Sequence, residues 1–380
     1  MNSPLKYPGG KNKELNFIIP NLPARIDRFF EPFIGGGAVY FNISSVNQMF
    51  INDKSHELIN FYRTVREENQ EFISTLKSID NTLKFLINFT SLNSTELLNI
   101  YQNFKEHGNN ETLLEELSSF IDENQYTLQD NVFIHNLSYA TFNDQLVKSI
   151  TDKYKRTKHL EEKKGSLKKE EDVINNIETG FMSAYYTFNR FVYNNYKKFD
   201  ITLPTQSALY FYIREYCYSS MFRYNQNGEF NVPYGGMSYN HKYLSKKIDY
   251  LSNAQLVNHL NNTVIDNLDF REFLEKYEPT ERDFIFLDPP YDTKFSTYAN
   301  NTFDLIDQKR LANYLINECP ANFMLVIKNS DLIRELYNEN IPTANGNTLQ
   351  IFSFTKKYLV SFRNRNDKNA QHLLITNYEL

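Results

Sequence analysis

Apolar residues along the chain fall into three regimes. Near the N-terminus, DRFFE (27–31) and QMFIND (48–53) are short apolar runs of strand length that end on acidic residues. PFIGGG and a stretch with helical spacing lie between them, so the pattern predicts a strand, a glycine turn, a helix and a second strand, a βαβ unit. From about 62 to 180 the pattern changes: glycine almost disappears, Glu, Lys, Asn and Leu dominate, and LLEELSSFI (113–121) repeats apolar residues at helical spacing. Within this region KYKRTKHLEEKKGSLKKEED (153–172) carries both charges and few apolar residues, which predicts a solvated helix or loop. The third regime, 243–380, returns to strand-length runs: TVIDN (263–267), DFIFLD (283–288) and NFMLVIK (322–328), with helical spans between them. Near-continuous apolar runs of this length suit central strands of a mostly parallel sheet, buried on both faces.

The predicted class is therefore α/β, with an inserted, mostly helical region. QSALYFYIREYCYSSMF (206–222) reads as an aromatic-rich apolar helix, and RYNQNGEFNVPYGG after it as a β-hairpin or extended loop around Asn-Gly. At the end of the chain KKYLVSF and QHLLITNY flank RNRNDKNA, a closing antiparallel hairpin with a basic tip; residues 356–372 hold five Lys or Arg against one Asp.

Length and composition narrow the class. The 380 residues, 41% hydrophobic, suffice for two or three domains and a sizeable core. No run of about 18 apolar residues appears, so no membrane span is expected. The N-terminus MNSPLKYPGGK lacks the apolar core of a secretory signal. Cys217 and Cys319 match no zinc spacing, so neither a structural metal nor a disulfide framework is expected, and a reducing cytoplasm is the expected location. The formal charge of −5 argues only weakly against a nucleic-acid partner, because charge can cluster on one face.

Two places carry candidate chemistry. In EPFIGGGAVYF (31–41), adjacent glycines let the backbone pass close to a ligand at the carboxyl edge of a sheet. Gly35 and Gly37 fit the first two positions of G-x-G-x-x-G, but the third falls on Tyr40, so a dinucleotide is disfavoured and a nucleoside-bearing ligand without a pyrophosphate remains open. Asp53 closes the next strand, where a carboxylate can take two ribose hydroxyls or cap the helix SHELINFY. Upstream, the lysines and aromatic ring of KYPGGK (6–11) surround a turn able to fold over a ligand.

The second place is Asp288-Pro289-Pro290-Tyr291, directly after DFIFL. Two prolines forbid a helix start and further strand pairing, and they hold the chain extended. A carboxylate on Asp288, the Pro289 carbonyl and the Tyr291 ring suit methylation of an exocyclic amine on a nucleobase. Two acceptors bind the two N–H groups and favour a pyramidal nitrogen, while the ring stacks on an extruded base. A cytosine-C5 enzyme needs a Pro-Cys nucleophile, and neither Cys217 nor Cys319 follows a proline. Cytosine N4 and RNA adenine stay open on these residues alone. A nuclease within the insertion, hinted at by EEK (161–163), has no acidic strand partner.

Taken in order, KYPGGK (6–11), EPFIGGG (31–37), RYNQNGEFNVPYG (223–235) and DPPY (288–291) resemble the motifs of the Dam-like, D12-class (α-group) adenine-specific DNA methyltransferases. The resemblance brackets nearly the whole chain and is thin only over about 66–180. It implies a Rossmann-like methyltransferase sheet from 1–61 and 243–380, with a DNA target-recognition domain at 62–242 whose first part, 62–180, is a helical insertion. It also implies S-adenosylmethionine as cofactor, with Tyr7, Lys11, Phe33, Gly35, Gly37 and Asp53 lining its pocket and Asp269 and Phe270 at its adenine. Asp288 is the expected essential residue. The implied partners are double-stranded DNA and a cognate restriction endonuclease, in a bacterial or phage setting. Tyr218 would wedge beside the flipped base, Arg223 would bond a guanine edge, and Asn225, Asn231 and Tyr234 would meet bases or phosphates. Lys356, Lys357, Arg363 and Arg365 are candidate phosphate contacts. Relatives reading GATC tend to carry Asn-Gly after an aromatic residue before the RYN motif. This chain has Tyr218-Ser219-Ser220-Met221, which points to a different adenine-containing site.

Overall fold

The computed structural model describes residues 1–44, 46–165, 169–291, 303–357 and 369–380. The chain divides into two compact units: Met1–Glu67 with Phe222–Glu229 and Asn253–Leu380, and Glu68–Met221 with Phe230–Ser252.

The first unit is built on seven strands: β1 (Arg28–Glu31), β2 (Gln48–Asn52), β3 (Thr263–Asp266), β4 (Phe284–Leu287), β5 (Asn322–Lys328), β6 (Gln350–Lys357) and β7 (Asn369–Thr376). They form one sheet in the order β3-β2-β1-β4-β5-β7-β6. β1 to β5 pair in parallel, and β7 enters antiparallel between β5 and β6. This is a Rossmann-like methyltransferase sheet. The strand runs read from the sequence are present, and β4 and β5 are central and buried on both faces, as Phe, Ile, Leu and Val at successive positions require; β3, expected to be central, is an edge strand whose burial alternates. Cross-strand partners show it: Phe30 lies opposite Phe50 on β2, ring centroids 4.6 Å apart and stacked. Phe29 points to the other face and meets Phe284 at 6.1 Å. Fully burying each such ring contributes about 1.5–3 kcal/mol. One face packs on helices Phe270–Tyr277, Leu305–Asn317 and Asp331–Leu336 through Phe273, Leu311, Leu315 and Ile333.

The sheet order sets the site. β1 is followed on one side by β2 and β3, and the chain then crosses to β4 on its other side. The gap between β1 and β4 is a topological switch point, where the loops leaving the carboxyl ends of adjacent strands diverge and open a crevice. Those loops are 32–39 after β1 and 288–291 after β4.

The local structure differs from expectation at one point. After the glycines the described residues form no α-helix, only a 3₁₀ turn at Tyr40–Asn42. The buried Glu31 carboxylate accepts the Tyr40 N–H at 2.9 Å at the start of this turn, and Tyr40 and Phe41 are themselves buried. Residues 223–235, expected as a β-hairpin or an extended loop, form the loop and not a strand hairpin: Asn225 N donates to Glu229 O at 2.9 Å across the Asn-Gly turn, and an isolated bridge joins Cys217 to Tyr234. Pro233 lacks the donor that a longer ladder would need. The closing hairpin is present as β6 and β7; its tip, with Arg363 and Arg365, lies outside the described residues, as do the side chains of Lys356 and Lys357.

The second unit is helical. Its longer helices are Gln70–Leu92, Ser94–His107, Asn110–Glu123, Tyr139–Lys164, Glu170–Asn194 and Leu203–Tyr216. It enters the chain between β2 and β3. Helices Tyr139–Lys164 and Glu170–Asn194 cross closely at Gly180, where a Cβ would stand 3.2 Å from the Ile150 Cα. Helix Leu203–Tyr216 is buried continuously from Ser207 to Tyr216, which explains why apolar and aromatic residues run from Ala208 to Ile213 without a polar face. Its buried Glu215 binds Lys242 at 2.8 Å and Lys247 at 2.9 Å. Burial alone would raise the Glu215 carboxyl, but the two lysines outweigh it and hold it below its ordinary value.

Candidate active site

The glycine loop is shaped by side chains from three strand ends. Asn52, the last residue of β2, donates to Pro32 O at 3.1 Å and to Leu268 O at 3.0 Å, and accepts the Leu268 N–H at 2.8 Å. It thereby stitches the loops after β1 and β3 to its own. Asp53 follows it. One carboxylate oxygen accepts Gly35 N at 3.0 Å and the other accepts Ser55 N at 2.9 Å. Burial pushes the Asp53 carboxyl up to about 6, against these backbone donors. Tyr62 donates to Gly35 O at 2.9 Å, and Asn267 donates to Asp53 O at 2.7 Å.

The glycines have separate reasons. Gly35 has φ +45°, and a Cβ there would stand 3.1 Å from the Tyr7 ring, so KYPGGK folds against this loop. Gly37 has φ +68°, and its Cβ would meet Phe41 at 2.8 Å. Phe33, at the start of the loop, packs against Phe270 at 5.6 Å and Phe303 at 5.4 Å. Phe270 is buried. Asp269 caps its helix, accepting Arg271 N at 3.0 Å, and pairs with Arg310 at 2.8 Å. Glu31, at the end of β1, is also buried. Desolvation drives its carboxyl well above the ordinary range, although Tyr40 N donates to it.

At the end of β4, Asp288 forms an ion pair with Lys11. Lys11 is almost fully buried, while the Asp288 side chain keeps 19% of its surface open. The Lys11 ammonium also donates to the Tyr291 hydroxyl at 3.1 Å and to Gly9 O at 3.3 Å. The Tyr291 hydroxyl in turn donates to the other Asp288 oxygen at 3.4 Å. Tyr291 is held on a second side by His372 of β7, with ring centroids 5.4 Å apart and edge-on. Gln308 donates to Pro290 O at 2.9 Å and so fixes the turn from below. Of the predicted residues, Tyr7, Gly35 and Asp53 come together in one cluster, Lys11, Asp288 and Tyr291 in a second, and Phe33 and Phe270 in a third. Asn52, Tyr62, Gln308 and His372 were not singled out from the sequence. Only the Asn-Asp pair closing β2 carries a signal there.

The candidate DNA-facing residues divide. Tyr218 and Arg223 are exposed, and Asn231 is half-buried. Ser219 and Ser220 both adopt left-handed backbone, φ 55° and 50°. The Asn225 amide is taken up within its own loop: its oxygen accepts Asn227 N at 3.0 Å and Glu229 N at 2.9 Å, and its nitrogen donates to the Glu229 carboxylate at 2.7 Å. Tyr234 is buried, donating to Asn240 at 3.2 Å. Both shape the segment from inside. No helix among the described residues is long and apolar enough to cross a membrane.

A Rossmann-like sheet with a glycine loop after β1 and Asp-Pro-Pro-Tyr after the adjacent β4 defines a methyltransferase core. The chain matches the family of D12 class N6 adenine-specific DNA methyltransferases over residues 7–102 and 138–349, and it belongs to that family. It is similar over its length to the Type II methyltransferase M.CviBI of Paramecium bursaria Chlorella virus NC1A, 24% identical over 381 residues, 98% of each chain. It is also similar to the DNA N-6-adenine-methyltransferase of Escherichia phage P1, 24% identical over 343 residues, which are 88% of this chain and 31% of that one. To the Retron Ec67 DNA adenine methylase of Escherichia coli it is 31% identical over 159 residues, 40% of this chain and 51% of the relative. The chain is thus an adenine-specific DNA methyltransferase.

Proposed function

We propose that the protein methylates N6 of an adenine flipped out of duplex DNA at a specific site, with S-adenosylmethionine as donor. The observation that carries this reading is the Lys11–Asp288–Tyr291 cluster at the mouth of the switch point. The adenine amine is a poor nucleophile because its lone pair is conjugated into the ring. Asp288 and the Pro289 carbonyl accept its two N–H groups and favour the pyramidal form. Lys11 orients the carboxylate, and Tyr291, steadied by His372, offers a face for the base. The N6 atom gains the methyl group and gives up one proton. Positioning and electrostatics carry the rate, without a covalent enzyme intermediate.

The glycine loop and Asp53 suit the donor. The Asp53 oxygens accept backbone N–H groups, Gly35 N on one and Ser55 N on the other, and a carboxylate has acceptor sites beyond these for a ribose hydroxyl. Gly35, Gly37 and Tyr7 shape the wall, and Phe33 with Phe270 offers an apolar surface for an adenine ring. Asp269 stands beside them and is tied to Arg310. When bound, S-adenosylmethionine supplies an electrophilic methyl group on a sulfonium.

In this reading the second unit, with residues 222–229, is the target-recognition region. Tyr218, Arg223 and Asn231 meet DNA, while Asn225 and Tyr234 hold their frame. The basic hairpin residues Lys356, Lys357, Arg363 and Arg365 contact phosphate. The two serines where GATC readers tend to have Asn-Gly support a different recognition site. A cognate restriction endonuclease is the proposed partner, supported by relatives named Type II methyltransferases. The test is calorimetric titration of the full chain with S-adenosylmethionine, alongside 2-aminopurine fluorescence with that base at the target position. Saturable binding lost in Asp53→Ala, and a fluorescence rise on DNA binding, are expected. No cofactor binding, or a probe that stays quenched in the stack, would overturn the reading.

A further inference from the structure

Helix Glu170–Asn194 holds one backbone segment through a stripe of three side chains. Tyr186 donates its hydroxyl to Val232 O at 2.9 Å, and Arg190 donates to the same oxygen at 2.7 Å. The Asn194 amide pairs with Phe230 on both sides, accepting its N–H at 2.9 Å and donating to its C=O at 2.9 Å. The three residues are spaced by four, so they lie on one helix face. Asn231 sits between the two clamped residues, and its place on the surface is therefore set by this helix.

The turn that follows carries Tyr196-Lys197-Lys198-Phe199. It is closed by Phe199 N on Asn195 O at 3.1 Å and by Ile201 N on Tyr196 O at 2.9 Å. The Phe199 ring is anchored on Phe191 of the helix at 5.5 Å. Lys197 lies 5.8 Å from the Tyr196 ring centroid, and Lys198 lies 5.6 Å from that of Phe199. Both lysines are exposed, and among the described residues neither has a carboxylate partner.

We propose that the 195–200 turn is a DNA-backbone contact, with Lys197 and Lys198 seated on phosphates beside the bases that Asn231 faces. The same helix fixes the turn and the reading segment, so the phosphate contact sets the register of the base contact. The proposal rests on the reading of Asn231 as a DNA-facing residue. The rival explanation is local: lysines after a helix C-terminus interact favourably with its carbonyl end and need no ligand.

The test measures affinity for duplex DNA containing the mapped site as a function of salt, using the full chain. Three proteins are compared with the wild type: Lys197→Ala/Lys198→Ala, the control Lys155→Ala/Lys163→Ala on helix Tyr139–Lys164, and Asn231→Ala. Two lost phosphate contacts should reduce the slope of log affinity against log salt by about 1–2, since each contact contributes about 0.9. Discrimination between the site and a single-base mismatch should stay unchanged in that variant, and the control should keep the wild-type slope. An unchanged slope with a lowered melting temperature would show the lysines to be helix-end partners and overturn the proposal. An equal loss of slope in both double variants would do the same, by showing a diffuse charge effect. Asn231→Ala separates the premise: if it alters neither affinity nor discrimination, the reading of that segment fails, whatever the lysines do.

Discussion

Lys11 and Tyr291 stand 280 positions apart in the chain and are joined by a 3.1 Å hydrogen bond beside Asp288. That junction makes residue-level predictions. Asp288→Ala removes the proposed acceptor for the amine and should lower methylation by about 100-fold or more while sparing most DNA binding. Single-turnover kinetics with a gel-shift control checks it; near-normal turnover would remove Asp288 from the mechanism. Arg223→Ala should cost about 1–3 kcal/mol of discrimination at one base pair, read by sequencing of methylated sites. A uniform loss across all sequences would make Arg223 a phosphate contact. Asp53 supplies a pH dependence. Burial raises its folded carboxyl to about 6, above the unfolded 3.8, so this group stabilises the fold increasingly as pH falls from about 6 toward 4. The proposed binding of the donor's ribose by Asp53 should run the other way, because ribose hydroxyls favour the carboxylate. Affinity should fall as pH drops through about 6, and Asp53→Asn should flatten the profile. A calorimetric series that keeps the same slope in both proteins would leave Asp53 as an organiser of the Gly35 and Ser55 backbone alone.

At the scale of elements, strand-length apolar runs translated directly into β4 and β5, since a strand buried on both faces needs little beyond continuous apolar character, while β3, TVID at the sheet edge, alternates in burial. The glycine loop and Asp-Pro-Pro-Tyr were legible because glycine and proline restrict the backbone by themselves. The hold of the Glu31 carboxylate on the Tyr40 N–H was not legible, because it reaches across a turn and needs the glycine loop folded first. Asn52, Tyr62, Gln308 and His372 were hidden for the same reason: they are ordinary polar residues until the sheet closes and supplies their partners. Backbone conformation gives two further predictions. Gly37→Ala should lower the melting temperature, since the new Cβ meets Phe41 at 2.8 Å in a left-handed residue. Ser220→Gly should instead raise stability by about 0.5–1 kcal/mol, relieving left-handed strain at φ 50°. Denaturant unfolding of both variants decides; a Ser220→Gly protein no more stable than the wild type would show that the serine pays no strain there.

Across the whole molecule, the sheet order gathers the two motif-bearing loops in the first unit. The switch point between β1 and β4 gathers the glycine loop and Asp-Pro-Pro-Tyr, and the helical unit enters between β2 and β3 without interrupting either. An insertion there can change length and sequence while the catalytic edge is kept. The family match covers residues 7–102 and 138–349, on both sides of a gap at 103–137 that falls within the helical unit. The central claim is that this edge methylates N6 of adenine. The most direct measurement is to incubate the protein with S-adenosylmethionine carrying an isotope-labelled methyl group and mixed-sequence duplex DNA, digest the DNA to nucleosides, and read them by mass spectrometry. Labelled N6-methyladenine with the wild type, and none with Asp288→Ala, is the predicted result. Labelled N4-methylcytosine, or no labelled nucleoside from the wild type, would contradict it.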